Sequence, residues 1–372
     1  MRLILHIGMP KAGSSALQTA LAAVRRPLRE RGVLYPKGAL NHNFLIAGVA
    51  PPDRLGRLYA QQYGGDRDAI RRDFDAFWLR IVTDIGRDRP DTVVLSGELL
   101  FGPLGDLGPE PIGDLLAPLG ARIEIVAYVR RPSDYYLSMA QQRLKASWEI
   151  RPVAPIRYRK SLDSALRAAD VLHAIPFERE RFPDGDVVAD FAARFLPGTG
   201  DVLRAIAHPK VKPSMSGEAM AIVQDYRRRH HPDANNRFTR DTGLVIRHLA
   251  RQEAALGGQR RPVLRPEIRT MVDGASSDLR WLRDTLGVTF SGVDYDAVGI
   301  EPRVTVTSVD DICVLDPDRK AALEATLAGL DLAAGSPEEK SFRASVSAPT
   351  PRKARHRRDA DKPRKRRRFP WW

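Results

Sequence analysis

The first eighteen residues limit the fold of this chain more than any other stretch. An apolar run, Leu3-Ile4-Leu5, leads into His6-Ile7-Gly8-Met9-Pro10-Lys11-Ala12-Gly13-Ser14-Ser15, and Leu17, Leu21 and Val24 then recur at helical spacing. That pattern predicts a strand, a loop and a helix. Such a loop aims backbone N–H groups and a helix N-terminus at one point, which suits a phosphate or a sulfate, and Lys11 adds a full positive charge there. In nucleoside-triphosphatase loops the Lys follows the second Gly directly. Here Lys11 stands two residues before Gly13, and Ser14 follows the Gly. An ordinary strand-to-helix turn that uses Gly for tight geometry shares the local pattern.

The rest of the chain extends the strand–helix alternation. Val33-Leu34-Tyr35, residues 92–97 and Ile123 to Val129 read as strands, and the last two flank a Gly/Pro-rich connection. Residues 66–86 read as an amphipathic helix with Ile70, Phe74, Phe77, Ile81 and Ile85 on one side. Helical patterns recur at 133–148, 161–170, 186–196, 216–231, 242–256 and 276–286, and residues 301–332 add a strand-like stretch and a helix from Arg319 to Leu330. Strands alternating with helices predict an α/β fold whose parallel sheet is flanked by helices, followed by a helical C-terminal part. Ligands of such sheets bind beyond the carboxyl ends of the strands. Lys11, Glu98 and Arg130 each follow a predicted strand, so one crevice can gather all three.

The strand ending at Val129 runs into Arg130-Arg131-Pro132-Ser133-Asp134-Tyr135-Tyr136-Leu137-Ser138. A guanidinium grips phosphate oxygens bidentately, and a hydroxyl adds a neutral donor. Taken together, Pro10-Lys11-x-Gly13-Ser14-Ser15 resembles the 5′-phosphosulfate loop of sulfotransferases that use PAPS (3′-phosphoadenosine 5′-phosphosulfate). Arg130, Pro132 and Ser138 resemble the 3′-phosphate motif of that family. Ser96-x-Glu98 resembles a strand end of a bacterial, carbohydrate-type branch, and Ile175-Pro176-Phe177-Glu178 resembles the family's later aromatic-Glu strand. Lys212 of Lys210-Val211-Lys212-Pro213-Ser214-Met215-Ser216 stands where that branch tends to carry Asn, and the Arg-Lys-Gly segment of many eukaryotic members is not evident. The resemblance covers residues 1–300, so the expected layout is a P-loop-type sulfotransferase domain over 1–300, an extension of it over 301–332 and a tail over 333–372.

The resemblance implies PAPS as co-substrate and PAP, its desulfated form, as product, with no metal. Lys11, Ala12, Gly13, Ser14 and Ser15 would hold the 5′-phosphosulfate, and Arg130 and Ser138 the 3′-phosphate. Lys11 would also stabilise charge on the bridging oxygen. The acceptor hydroxyl needs a base, and both His42, in Asn41-His42-Asn43, and Glu98 are candidates. The branch implies a sugar hydroxyl of a glycolipid or polysaccharide as acceptor, and Trp78, Trp148, Tyr135 and Tyr136 are candidates for stacking on sugars. His230-His231, after Arg227-Arg228-Arg229, fits either a metal patch or charge stabilisation of a helix C-terminus. A nucleotide kinase or NTPase on a related fold is the alternative enzyme, and it predicts magnesium-dependent ATP binding.

The net charge of +14 is unevenly placed. Residues 349–372 carry eleven Lys and Arg against two Asp, a net +9, leaving +5 for residues 1–348. Low apolar content makes 333–372 an expected disordered basic tail. It ends in Lys362-Pro363-Arg364-Lys365-Arg366-Arg367-Arg368-Phe369-Pro370-Trp371-Trp372, a basic block joined to aromatics. Anionic membrane contact and, second to it, nucleic-acid binding are its expected roles, and a non-catalytic protein acting through this tail is a third function class. Cys313 is the one cysteine, which rules out an internal disulfide, and it reads as a small buried apolar residue. The Leu3–Leu5 run is too short for a secretory signal, and no run approaches the roughly 18 apolar residues of a spanning helix. A cytoplasmic enzyme is therefore expected, peripheral at the inner membrane if the tail holds it there.

Overall fold

Three short apolar runs form the middle of the sheet because both of their faces are covered. They are β1 (Arg2–His6), β3 (Thr92–Ser96) and β4 (Arg122–Val129), with β2 (Val33–Leu34) and β5 (Val171–Pro176) at the edges. In this computed structural model, which describes residues 1–330 apart from 39, 56, 205–213 and 300–304, the strands are ordered β2-β3-β1-β4-β5 and every pairing is parallel. Leu3, Ile4 and Leu5 are wholly buried, as are Val93, Val94 and Leu95 and the run from Ile125 to Val129. Continuous apolar runs of this kind mark parallel strands buried on both faces.

The register sets where a ligand can sit. His6 pairs with Ser96 on one side and with Val126 on the other, so β1 and β3 end level and β4 continues to Val129, beside Pro176 of β5. The chain visits β3 on one side of β1 and β4 on the other. This is the topological switch at which connections leave a sheet in opposite directions and open a crevice.

Helices cover the sheet. The helix after β1, α1 (Ser14–Ala23), packs against the Val187–Phe195 helix. The buried Tyr128 hydroxyl of β4 donates to Asp190 of that second helix at 2.7 Å, which fixes helix to sheet. A second group joins Phe101–Leu107, Tyr158–Ala168 and Asp278–Leu286. The Gly/Pro-rich connection before β4 is not an open loop. It holds the helices Phe101–Leu107 and Glu110–Leu116, the second with a proline in its first turn, where a missing N–H costs no helical bond.

A separate core lies beyond the sheet. Leu137, Ala140 and Leu144 of the Pro132–Leu144 helix join Met220, Val223, Val245, Leu249, Ile268, Ile312 and Leu323. The Pro266–Gly274 helix and a two-stranded antiparallel sheet of β6 (Val263–Leu264) and β7 (Cys313–Val314) belong to this part. Cys313 is buried there, and burial pushes its thiol pKa up to about 12. Residues 309–330 pack into the same compact unit as the sheet. The basic tail, Lys210 and Lys212 lie outside the described residues. No described helix is long and apolar enough to cross a membrane.

Candidate functional site

The β1–α1 loop owes its shape to positive backbone angles. Gly8, Lys11 and Gly13 have φ of +70°, +71° and +84°. Lys11 is the unusual one, because a left-handed conformation costs an L-residue roughly 1–2 kcal/mol. Alternating hands along a backbone turn successive N–H groups toward one concavity. Gly13 is the N-cap of α1 and supplies no side-chain cap, so the amides of Ser14 and Ser15 open the helix as orphan donors. The Ala12 amide is not part of this set. It turns back to the Met9 carbonyl at 3.1 Å, which corrects its expected place among the anion donors. Ser14 is buried and its hydroxyl has no hydrogen-bond partner, whereas Lys11 and Ser15 are exposed.

Close packing joins this loop to its neighbours. A Cβ on Gly8 would stand 2.9 Å from both Glu98 Cβ and Ser14 Oγ. Glu98 therefore sits against the loop, half-buried in the turn that follows β3. A Cβ on Gly13 would stand 2.8 Å from Phe177 Cε2 and 2.9 Å from Val187 Cγ1, which places the turn after β5 under the start of α1.

Arg130 reaches the loop from the end of β4. Its Nη1 donates to the Lys11 carbonyl at 2.9 Å, and its own amide faces Met9 Sδ at 3.4 Å. The guanidinium carbon lies 6.0 Å from the centre of the Phe177 ring. Burial holds the Arg130 pKa below the usual arginine value. Asp134 opposes that shift, while the charges of Arg179 and Arg261 press it further down. The charges of Arg179 and Arg261 thus bear on Arg130, with Asp134 opposing them, and a multivalent anion would relieve the repulsion among the three guanidinium groups. Ser138 lies further along the Pro132–Leu144 helix, half-buried, on the element whose first turn begins two residues after Arg130.

His42 is in a different position from the one expected of a base. It is buried, and its Nδ1 accepts the Ser96 amide at 3.1 Å. A backbone N–H only donates, so Nδ1 holds its lone pair inward and the proton of the neutral ring sits on Nε2. No basic nitrogen is left for a substrate. Burial, aided by the charge of Arg25, pushes the pKa down to about 3. His42 is instead a support for the Glu98 turn: its amide donates to the Ser96 carbonyl at 2.6 Å, and the neighbouring Asn43 side chain accepts the Leu99 amide at 3.2 Å. Beneath it, His6 Nδ1 and Gln18 Nε2 both bond Ser96 Oγ, at 2.8 and 3.1 Å.

The other sequence candidates hold framework. Trp148 donates to the Pro232 carbonyl at 2.9 Å under Arg228, and the Tyr136 hydroxyl donates to the Arg151 carbonyl at 2.8 Å. Trp78 and Tyr135 are partly buried against the sheet core. His231 is bonded to Asp241 at 2.5 Å, and His230 lies over the Tyr226 ring. Among the described residues no three His, Cys, Asp or Glu side chains converge to hold a metal ion.

Sequence reading missed Arg179 and Arg261. Arg179 follows β5 much as Arg130 follows β4, a positional signal visible once β5 is aligned with the other strands. Arg261 sits in an arginine-rich loop with no spacing that singles it out. No protein-family model matches the chain, and neither a curated protein nor a solved structure matches it.

Proposed function

We propose that the chain is a PAPS-dependent sulfotransferase that moves the sulfuryl group to a hydroxyl of a sugar on a glycolipid or polysaccharide. One observation carries this reading: Arg130 at the end of β4 is hydrogen-bonded to the Lys11 carbonyl in the β1–α1 loop, so the two segments that resemble the cofactor motifs lie against one another. The buried Ser14 hydroxyl, which has no hydrogen-bond partner, and the uncapped start of α1 fit the 5′-phosphate end of such a nucleotide. Arg130, with Arg179 and Arg261 nearby, fits the 3′-phosphate, and Ser138 is the hydroxyl the resemblance assigns to it.

The reaction is an in-line displacement at sulfur. The acceptor oxygen forms the new S–O bond as the bond to the bridging oxygen breaks, and PAP leaves with that electron pair. Glu98 takes the acceptor proton, since His42 has no basic nitrogen to offer. Lys11 stabilises the charge that develops on the bridging oxygen. The basic tail would hold the enzyme at the inner face of an anionic membrane, close to a glycolipid acceptor.

The test is PAP release. The full chain, given PAPS and a glycolipid or polysaccharide extract, should release PAP only when both are present. Lys11→Ala should lower the rate on the order of a hundredfold to a thousandfold. PAP release that is unchanged in Lys11→Ala would refute the assignment.

A further inference from the structure

Next to Arg130 lies a network that the chemistry above does not use. Arg131 is nearly buried, and its Nε and Nη2 reach Asp273 Oδ2 at 2.8 and 2.7 Å. Asp273 comes from the Pro266–Gly274 helix and also accepts the Ser133 amide at 2.9 Å and the Ser133 hydroxyl at 3.1 Å. It thereby caps the Pro132–Leu144 helix, whose own N-cap residue, Arg131, supplies no side-chain cap. Two further N–H groups of Arg131 donate to the carbonyls of Ser291 and Gly292 at 2.8 and 2.9 Å. Ser291 in turn gives its amide to Glu178 Oε1 at 2.7 Å, in the turn after β5. Tyr158 holds the other side, donating to the Arg130 carbonyl at 2.5 Å.

The consequence concerns direction. Arg130 and Arg179 lie in two different turns, after β4 and after β5, and the charge of Arg179 bears on Arg130. Arg131 is the group that binds across both: one edge of its guanidinium grips Asp273 at the first turn, and the other reaches Glu178, the neighbour of Arg179, through Ser291. We infer that Arg131, with Asp273 as its partner, is a positioning residue. It holds the Arg130 and Arg179 turns in register, and so determines selectivity for a nucleotide that carries a phosphate monoester on its ribose. This inference rests on the nucleotide reading given above. A guanidinium that recognises phosphate bidentately depends on angle as well as distance, and displacement of such a group by about 1 Å costs on the order of a hundredfold.

The experiment is a pair of calorimetric titrations of the full chain, with PAP and with AMP, which lacks the 3′-phosphate. Both are repeated on Arg131→Lys, on Asp273→Asn and on Arg130→Ala. Arg131→Lys keeps the charge and loses the fork; Asp273→Asn keeps an acceptor for Ser133 and loses the ion pair. Both should weaken PAP binding by roughly tenfold to a hundredfold while AMP affinity is unchanged, so the PAP/AMP ratio falls toward that of Arg130→Ala. A purely structural role would lower both affinities together or neither, and an unchanged ratio in folded Arg131→Lys or Asp273→Asn overturns the inference. If either single variant fails to fold, Arg131→Met with Asp273→Met removes both charges together and is read by the same ratio. A wild-type chain that binds PAP no better than AMP would refute the nucleotide reading itself, and with it the positioning role.

Discussion

A methyl group added at Gly8 would test how closely the two halves of the site are packed. The Gly8→Ala Cβ has nowhere to go: it would stand 2.9 Å from Glu98 Cβ, 2.9 Å from Ser14 Oγ and 3.2 Å from Glu98 Cα. The Cα position belongs to backbone, so the clash cannot be relieved by swinging a side chain away. The φ of +70° adds a left-handed penalty of roughly 1–2 kcal/mol for any L-residue. Overpacking a filled site adds roughly 1–3 kcal/mol. The sum is a loss of about 2–5 kcal/mol. Gly120→Ala is the matched control, because Gly120 has φ +56° and ψ +31° and a Cβ there meets nothing within 4 Å. It should show only the left-handed penalty. The assay is thermal unfolding followed by circular dichroism, with nucleotide affinity measured on the same samples. Gly8→Ala should unfold several degrees below Gly120→Ala and also bind nucleotide more weakly, since Ser14 and Glu98 are pushed apart. Equal unfolding temperatures for the two variants would refute the close approach of the Glu98 turn to the loop.

Two further outcomes follow from the buried histidines and the carboxylate above them. Burial holds His6 down to about 4 and His42 down to about 3, both below the ordinary value of 6.5, so the unfolded chain binds more protons in mild acid. Their contribution to stability is complete above about pH 6.5 and is lost as pH falls through the folded values, at a slope of about 1.4 kcal/mol per pH unit for each histidine. Urea unfolding between pH 6 and pH 4 should show this, and His42→Gln should lower the slope by about 1.4 kcal/mol per pH unit; an unchanged slope would mean that His42 is not held neutral. In the PAP-release assay, Glu98→Gln should reduce turnover on the order of a hundredfold to ten-thousandfold with PAP affinity intact. His42→Gln should fall far less, and the reverse order would return the base role to His42.

Local patterns in the chain foretold the central strands well, and the reason is physical. Leu3 to Leu5, Val93 to Leu95 and Ile125 to Val129 are apolar without interruption because the sheet covers both faces. Lys11, Glu98 and Arg130 could be assigned to one crevice because each follows such a strand, and parallel order puts the ends of all three strands at the same edge of the sheet. What stayed hidden depends on contacts between distant residues. The burial of His42 follows from its bond to Ser96, fifty-four positions away. The inward turn of the Ala12 amide is set by the φ values of its neighbours, which no residue type at position 12 announces. No residue type near Arg131 announces its role, because its partners Asp273 and Ser291, which take it out of solvent, lie more than a hundred residues on. The short β6 and β7 strands exist only because they pair with each other across fifty residues.

Calorimetric titration of the full chain with PAP, ATP, and ATP plus magnesium tests the nucleotide assignment most directly, at a salt concentration high enough to screen the basic tail. Tight PAP binding that needs no added metal, weak ATP binding, and loss of the PAP signal in Arg130→Ala are the results expected of a site built from Lys11, Ser14 and Arg130. Magnesium-dependent ATP binding without preference for PAP would contradict it and point to a kinase or NTPase, and binding of neither nucleotide would leave the β1–α1 loop without the role proposed for it.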